Sequence, residues 1–200
     1  MMAVTAERFA QGLTYDEYKA RMTRNQDRFQ ANERRVVLDP ADLDAFTQLP
    51  SPLRVLVLAE DWCGDVIDNL PILGRLAAES GKLEVRIFLR DQHLDLIDQY
   101  LKEGKYRSIP VFVFFDDRFA EIGRFIERPA SVSERRARYR EELSARHPEF
   151  GAPDAPPDQL SADVRARLMQ EMAQKREEWK PLEERDTIQA LRAIVERAGS

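Results

Sequence analysis

One cysteine, Cys63, stands in the stretch Trp62-Cys63-Gly64-Asp65-Val66. An apolar run, Leu53–Ala59, comes before it and an amphipathic stretch comes after. The sulfur therefore falls where a strand hands over to a helix. At a helix N-terminus, unpaired backbone N–H groups and the helix dipole favour the thiolate, the form of cysteine that attacks disulfides. Four carboxylates crowd the same stretch: Glu60, Asp61, Asp65 and Asp68. Asp65 and Asp68 suit a first helical turn, but like charge opposes ionisation of a thiol, and the sequence leaves open which of the two effects dominates. The second feature is Ser108-Ile109-Pro110, just before another apolar run. A proline is tolerated at a strand entrance, and the bond before it can be cis.

Other chemistry finds little support. A lone cysteine excludes an internal disulfide and a multi-cysteine metal site, and two histidines, His93 and His147, argue against a zinc cage. No metal and no cofactor are expected. Asp91 reads as a helix cap, His93 as a surface or first-turn residue and His147 as a helix-end cation. The basic stretch Glu134–Arg140 spreads its arginines over several helix faces, with Glu141 and Glu142 following, which fits a solvated, ion-paired face. With 31 basic and 36 acidic residues among 200, the formal charge is −5. An acidic chain is a poor nucleic-acid partner, because phosphate neutralisation needs a basic surface. No apolar run reaches membrane-spanning length, and no apolar segment follows a basic start, so neither a membrane association nor a signal peptide is expected. These readings give a cytoplasmic protein.

The elements that must hold Cys63 follow from the apolar pattern. Thr14 and Glu17 fit a capping box, with Tyr15, Tyr18, Met22 and Phe29 at roughly helical spacing behind them. Asp39-Pro40 reads as an N-cap and first helical residue of a short helix ending before Pro50. Leu53–Ala59 predicts a strand buried on both faces. Asp65–Glu79 predicts a helix stopped by Gly81, Leu83–Leu89 a second strand, and Leu94–Lys102 a second helix. Val111–Phe115 and Phe119–Ile126 predict two more strands joined by a turn at Asp116-Asp117-Arg118, with Gly123 a candidate bulge. Helical crossovers make the first two strands parallel, and the short turn makes the last two antiparallel. Beyond Arg128-Pro129, Ser131 or Ser133 is expected to cap a helix reaching about His147. Gly151–Pro157 reads as a Pro-rich linker. Ser161 opens another helix, Pro181 interrupts it, and Asp186 caps the last one. The expected division is a helical extension over 1–33, an α/β domain over 34–147, a linker over 148–160 and a helical extension over 161–200.

The Trp62–Val66 stretch, the buried strand before it and Ile109-Pro110 at a strand start are together similar to the thioredoxin family. The resemblance covers residues 34–147 and implies an α/β fold of the thioredoxin-like kind. That fold is a mixed central sheet flanked by helices, here with extra N- and C-terminal helices. It normally has one further strand and helix in front, for which Val36–Leu38 and the Pro40 helix are the candidates. More narrowly, the chain resembles a bacterial thioredoxin-like group with a Trp-Cys-Gly-Asp motif, a Tyr15-Asp16-Glu17-Tyr18 helix and an Arg128-Pro129 pair after the last strand. The resemblance gives Cys63 the attacking role. It puts Trp62, Gly64, Asp65, Ile109 and Pro110 where substrate is held, with the Ile109 backbone open to an extended peptide by strand addition. The pattern departs in two places. Val66 stands where thioredoxins carry their second cysteine, and Val57 where they carry a buried acid.

Two functions remain in play. The first is a monothiol thiol-disulfide oxidoreductase, or redox-responsive protein, acting on a protein disulfide or a low-molecular-weight thiol. Lacking a resolving cysteine, it needs an external thiol to release the product. The second is a non-catalytic interaction module on a scaffold that has lost dithiol activity. The C-terminal helices, with Met169, Met172 and Trp179, are a candidate interaction arm, and the sequence leaves the oligomeric state open. One-cysteine peroxide reduction ranks lower, since the run before Cys63 lacks the Pro and Thr that position a peroxide. A glutathione transferase ranks lower still, its helical half being longer.

Overall fold

Strand β1, Leu53–Ala59, is apolar on both faces and is buried along nearly its whole length. In the computed structural model, which describes residues 4–199, it lies at the centre of the sheet, between β2 (Leu83–Leu89) and β3 (Val111–Phe115). The order is β2-β1-β3-β4, with β4 at Glu121–Ile126. β1 and β2 run parallel, pairing Leu53 with Leu83 through to Ala59 with Leu89. β3 is antiparallel to both β1 and β4. The register slips between Phe114 and Phe115, where one residue of β4, Ile122 beside Gly123, is passed over. β4 starts later than its sequence predicts because Phe119 adopts a positive φ of 60° and turns the chain.

The expected leading strand is absent among the described residues. Val36–Leu38 runs without strand pairing between α3 (Gln26–Arg35) and α4 (Pro40–Thr47), with Val36 buried and Val37 exposed. The outer edge of β2 is met instead by a single residue. Leu13 exchanges two backbone hydrogen bonds of 2.8 Å with Ile87, in an antiparallel bridge. Leu13 sits between α1 (Ala6–Ala10) and α2 (Tyr15–Arg21). The Thr14–Glu17 capping box fixes the start of α2: Glu17 N–H donates to Thr14 Oγ1 at 3.2 Å, and Thr14 N–H donates to Glu17 Oε2 at 2.8 Å.

Helix α5, Gly64–Ser80, carries the cysteine at its N-cap and ends at Gly81, whose φ of 62° suits a residue without a Cβ. Pro71 lies inside this helix and is buried. A proline has no N–H to give the carbonyl four residues back, here Ile67. Asn32 of α3 supplies the missing donor: its buried Nδ2 donates to Ile67 O at 2.8 Å and to Asp68 Oδ1 at 3.2 Å. The Tyr15 ring of α2 lies against Gly74, where any Cβ would collide with it. The N-terminal helices are thus keyed into the helix that presents Cys63.

The predicted helix Leu94–Lys102 is shorter than its pattern suggests. α6 covers Leu94–Ile97, and the chain then closes in tight turns, Gln99 N–H to Leu96 O and Tyr100 N–H to Ile97 O. α7 spans Ala130–Arg146, with Pro129 at its N-cap and no side-chain cap from Ser131 or Ser133, both of which lie inside it. α8 runs unbroken over Ala162–Val195, so neither Pro181 nor Asp186 divides it. Asp186 does not cap a new helix; it pairs with Arg135 Nη2 at 2.7 Å.

The chain divides into two compact units. One runs up to Arg128 and resumes at Thr187; the other is Pro129–Asp186. In the first, the sheet core is completed by Ile188, Leu191, Ile194 and Val195 of α8. Thr187 Oγ1 donates to Asn69 Oδ1 at 2.9 Å, and Gln189 Nε2 donates to Asp42 Oδ1 at 2.6 Å. The second unit has a small core of Leu143, Phe150 and Leu168. Its Pro-rich segment carries two short 3-10 turns, Pro148–Phe150 and Pro157–Gln159. Buried Arg140 fixes that segment by donating to Phe150 O at 2.8 Å and Ala152 O at 3.0 Å.

Candidate functional site

β1 delivers the chain at Ala59, and α5 takes it up at Gly64, so the intervening residues sit at the carboxyl end of a central strand. Cys63 is the N-cap residue of α5, in extended conformation. It is half-buried, and its Sγ donates to the carbonyl of Ile109 at 3.5 Å. The Ile109–Pro110 peptide bond is cis, and Pro110 leads directly into β3. Two features far apart in sequence, the cysteine stretch and the Ile-Pro pair, thus meet through one sulfur and one backbone oxygen.

Burial pushes the Cys63 thiol above its ordinary pKa. The backbone N–H of Val66, and less so that of Asp65, opposes this by favouring the thiolate, although neither makes a capping hydrogen bond. The Asp65 carboxylate raises the pKa further and Arg128 lowers it. These two charges form a pair, Arg128 Nη2 to Asp65 Oδ2 at 2.5 Å and Nε to Oδ1 at 3.3 Å. Arg128 also pairs with Glu127 at 2.6 Å, and Glu127 with Lys102 at 2.6 Å. Glu127 N–H donates to Pro110 O at 2.7 Å, so the ion-pair chain is anchored at the cis proline. Helix-end polarity does not win at this sulfur: dehydration dominates, and the Asp65 carboxylate raises the pKa more than Arg128 lowers it.

The residues before Cys63 are tied on both sides. Asp61 Oδ2 accepts from Thr23 N–H at 2.6 Å, Arg24 N–H at 3.0 Å and Thr23 Oγ1 at 3.1 Å. Burial alone would raise its pKa, but these donors hold it below the usual carboxylate range. Asn25 Nδ2 closes the loop on Asp61 O at 2.8 Å, from a left-handed backbone at φ 56°. Glu60 is buried, which raises its pKa, and it accepts from Asp91 N–H at 2.8 Å. Trp62 is 42% exposed, with the Arg90 guanidinium over its ring at 4.9 Å. Beneath them, burial also raises the pKa of Tyr18, whose hydroxyl has no hydrogen-bond partner.

Beside Ser108 lies an open groove of about 590 Å³ lined by Arg90, Asp98, Lys105, Tyr106 and Arg107. Arg90 Nη1 donates to Arg107 O at 3.1 Å, and Arg107 is held by Asp98 through bonds of 2.6 and 2.9 Å. Arg90 therefore links Trp62 to the strand-entry loop that carries Ile109.

Of the sequence candidates, Trp62 precedes Cys63, Gly64 and Asp65 open α5, the Ile109 carbonyl meets the sulfur, and Pro110 follows Ile109 across the cis bond. Asp65 is buried against Arg128. Val66 and Val57, at the second-cysteine and buried-acid positions, are fully buried apolar residues. Sequence reasoning missed Arg90, Arg107 and Asn32, and it gave Arg128 no role at the thiol. For Arg128 the available signal was the Arg-Pro pair after the last strand; for the others only tertiary proximity reveals the connection. His93 lies edge-on to Phe88 beside Arg8, and His147 ends α7. No cluster of His, Cys, Asp and Glu suited to a metal occurs among the described residues, and no described helix is long and apolar enough to cross a membrane.

Comparison with known proteins places this geometry. A crystal structure of a protein of unknown function from Pseudomonas aeruginosa matches with a TM-score of 0.67 and 21% identity, over 98% of this chain and 99% of that one. An HIV epitope-scaffold matches with a TM-score of 0.65 and 22% identity, over 98% of each chain. At such identities the likeness speaks for the fold alone. None of the curated proteins matches the sequence. A family model described as thioredoxin matches residues 12–140, from the bridge residue Leu13 through the cysteine stretch, the cis proline and the whole sheet, and on that match the chain belongs to the thioredoxin family.

Proposed function

We propose that this protein is a single-cysteine member of the Trp-Cys-Gly-Asp kind that takes a mixed disulfide onto Cys63. The observation that carries the reading is the sulfur at the mouth of α5, 3.5 Å from the backbone oxygen of Ile109. A substrate extended along Ile109 and Pro110 would present its disulfide to that sulfur. The Cys63 thiolate attacks one substrate sulfur, forming a Cys63–substrate disulfide and expelling the other sulfur as a thiolate. The second cysteine position is Val66, so release requires an external thiol. That thiol attacks the mixed disulfide, frees Cys63 and leaves disulfide-bonded to the substrate. A low-molecular-weight thiol in a reducing cytoplasm suits the releasing role, and its oxidised disulfide form suits the substrate role.

The raised thiol pKa sets the tempo. The thiolate is scarce at neutral pH, so attack is slow. A sulfur of high pKa is also a poor leaving group, so the mixed disulfide, once made, persists. Capture and holding fit this site better than rapid turnover. In the groove beside Ser108, Arg90 is held by Asp91 at 2.7 Å and Arg107 by Asp98, which leaves Lys105 as the cation that favours substrates bearing a carboxylate.

Incubation of the native protein with oxidised glutathione, followed by intact mass, tests the reading. One adduct on Cys63 is expected, forming faster as pH rises from 7 to 9 and absent in Cys63→Ser. A native protein that stays unmodified at pH 9 while its urea-unfolded form reacts would refute it. A second reading, a peptide-binding module without thiol chemistry, is favoured by the apolar Val57 and Val66. It requires that Cys63→Ser retain every binding partner of the parent protein.

A further inference from the structure

We propose that the Pro129–Asp186 unit holds a second site, remote in sequence from the thiol, which binds a phosphorylated small molecule. α7 and α8 line an open groove of about 870 Å³, within the size range of small-molecule sites. Four cations line it, Arg135, Arg138, Arg146 and Lys175, against one carboxylate, Glu142.

The cations of this unit divide into two groups. Arg136 and Arg140 are consumed by structure. Arg136 pairs with Glu183 through bonds of 3.0 and 2.5 Å, and Arg140 holds the carbonyls of Phe150 and Ala152. The groove cations are not used up in this way. Arg135 spends Nη2 on Asp186, but its Nη1 is buried without an acceptor. Lys175 pairs with Glu178 at 2.7 Å, while Arg138 and Arg146 pair with no carboxylate among the described residues. A phosphate in the groove would meet the exposed guanidinium groups of Arg138 and Arg146, which no described carboxylate neutralises.

The aromatic residues keep these charges in place. Tyr139 and Trp179 meet edge to face, with centroids 5.4 Å apart. Lys175 Nζ lies over both rings, at 5.6 and 5.4 Å, and Arg146 lies over Tyr139 at 6.0 Å. Cation–π contact fixes a charge without neutralising it. Guanidinium groups then offer paired donors matched to phosphate oxygens. Two helices meeting only to bury apolar surface would not gather four cations around two rings.

The chain has two tryptophans, Trp62 and Trp179. In a full-length Trp62→Phe background the fluorescence therefore reports on the groove wall. Titration with inorganic pyrophosphate is expected to give a saturable change that sodium chloride of equal ionic strength does not. The pair Arg138→Gln, Arg146→Gln should weaken it tenfold or more with the thermal midpoint lowered only slightly, since both side chains are exposed and neither pairs with a described carboxylate, Arg146 losing only its contact with the Tyr139 ring. Arg165→Gln, an exposed charge outside the groove, should leave it intact. The proposal is overturned by a response that chloride reproduces, by no response at millimolar pyrophosphate, or by equal loss in the Arg165 control. A phosphoserine peptide that binds where pyrophosphate does not overturns it in favour of a protein partner.

Discussion

Replacing Asn32 by alanine removes the side chain that donates to the Ile67 carbonyl in place of the N–H that Pro71 lacks. Both ends of that bond are buried, and Ile67 is fully enclosed. An acceptor stranded in this way costs about 1–3 kcal/mol. The second bond, to Asp68, is longer at 3.2 Å and lies nearer solvent, so a total of about 2 kcal/mol is expected. With a urea slope of roughly 2 kcal/mol per molar, the midpoint should fall by about 1 M. Trp62 fluorescence in a Trp179→Phe background isolates the unit concerned. The sharper test is a double-mutant cycle. Pro71→Ala restores a backbone donor to Ile67, so Asn32→Ala should then cost about 1–2 kcal/mol less than in the parent. If the cost is the same in both backgrounds to within about 0.5 kcal/mol, Asn32 is not standing in for the missing N–H and the argument fails.

Charge at the thiol can be moved in either direction. Asp65→Asn should lower the Cys63 pKa, because the carboxylate that opposes the thiolate is gone while Arg128 stays, and so speed iodoacetamide alkylation at pH 7. Arg128→Gln should slow it, and equal rates in the two variants would show that the pair does not govern this sulfur. Because the folded thiol has a raised pKa, its contribution to stability is fully present below the ordinary thiol value of about 8.5 and is lost as pH climbs through the folded value. Urea midpoints measured from pH 7 to 10 should therefore fall less in Cys63→Ala than in the parent. Asp61 acts with the opposite sign. Its lowered pKa stabilises the Thr23–Asn25 loop above about pH 4 and ceases to do so in acid. Amide exchange at Thr23 and Arg24 should accelerate in acid beyond its intrinsic trend, an effect that Asp61→Asn abolishes. Arg140→Ala strips buried donors from two carbonyls and should cost the second unit about 2–4 kcal/mol, read from Trp179 fluorescence in urea.

The sheet was legible because β1 and β3 are continuous apolar runs, and the crossover rule then fixed their neighbours. The capping box at Thr14 and the Asp39-Pro40 start were equally open, since each works through contacts within one turn. Long-range substitution was hidden. Nothing in the local pattern says that Leu13, a single residue, would take the sheet edge expected of Val36–Leu38. Pro181 looked like a helix break because a proline forfeits one bond, yet the remaining bonds of a long helix carry it through. The cysteine and the Ile-Pro pair could be named from sequence, but the balance of dehydration against helix polarity at the sulfur could not. That balance depends first on how deeply tertiary packing buries the sulfur, and then on Asp65 and on Arg128, sixty-three residues apart.

The last stretch of α8, from Thr187 to Val195, lies in the same core as β1. During synthesis on the ribosome the unit bearing the cysteine therefore cannot finish closing until Thr187–Val195 has emerged, behind the fifty-eight residues of the intervening unit. Until then Leu191 and Val195 have not sealed the apolar face they cover, and the nascent protein is at its most exposed to chaperones and to oxidants.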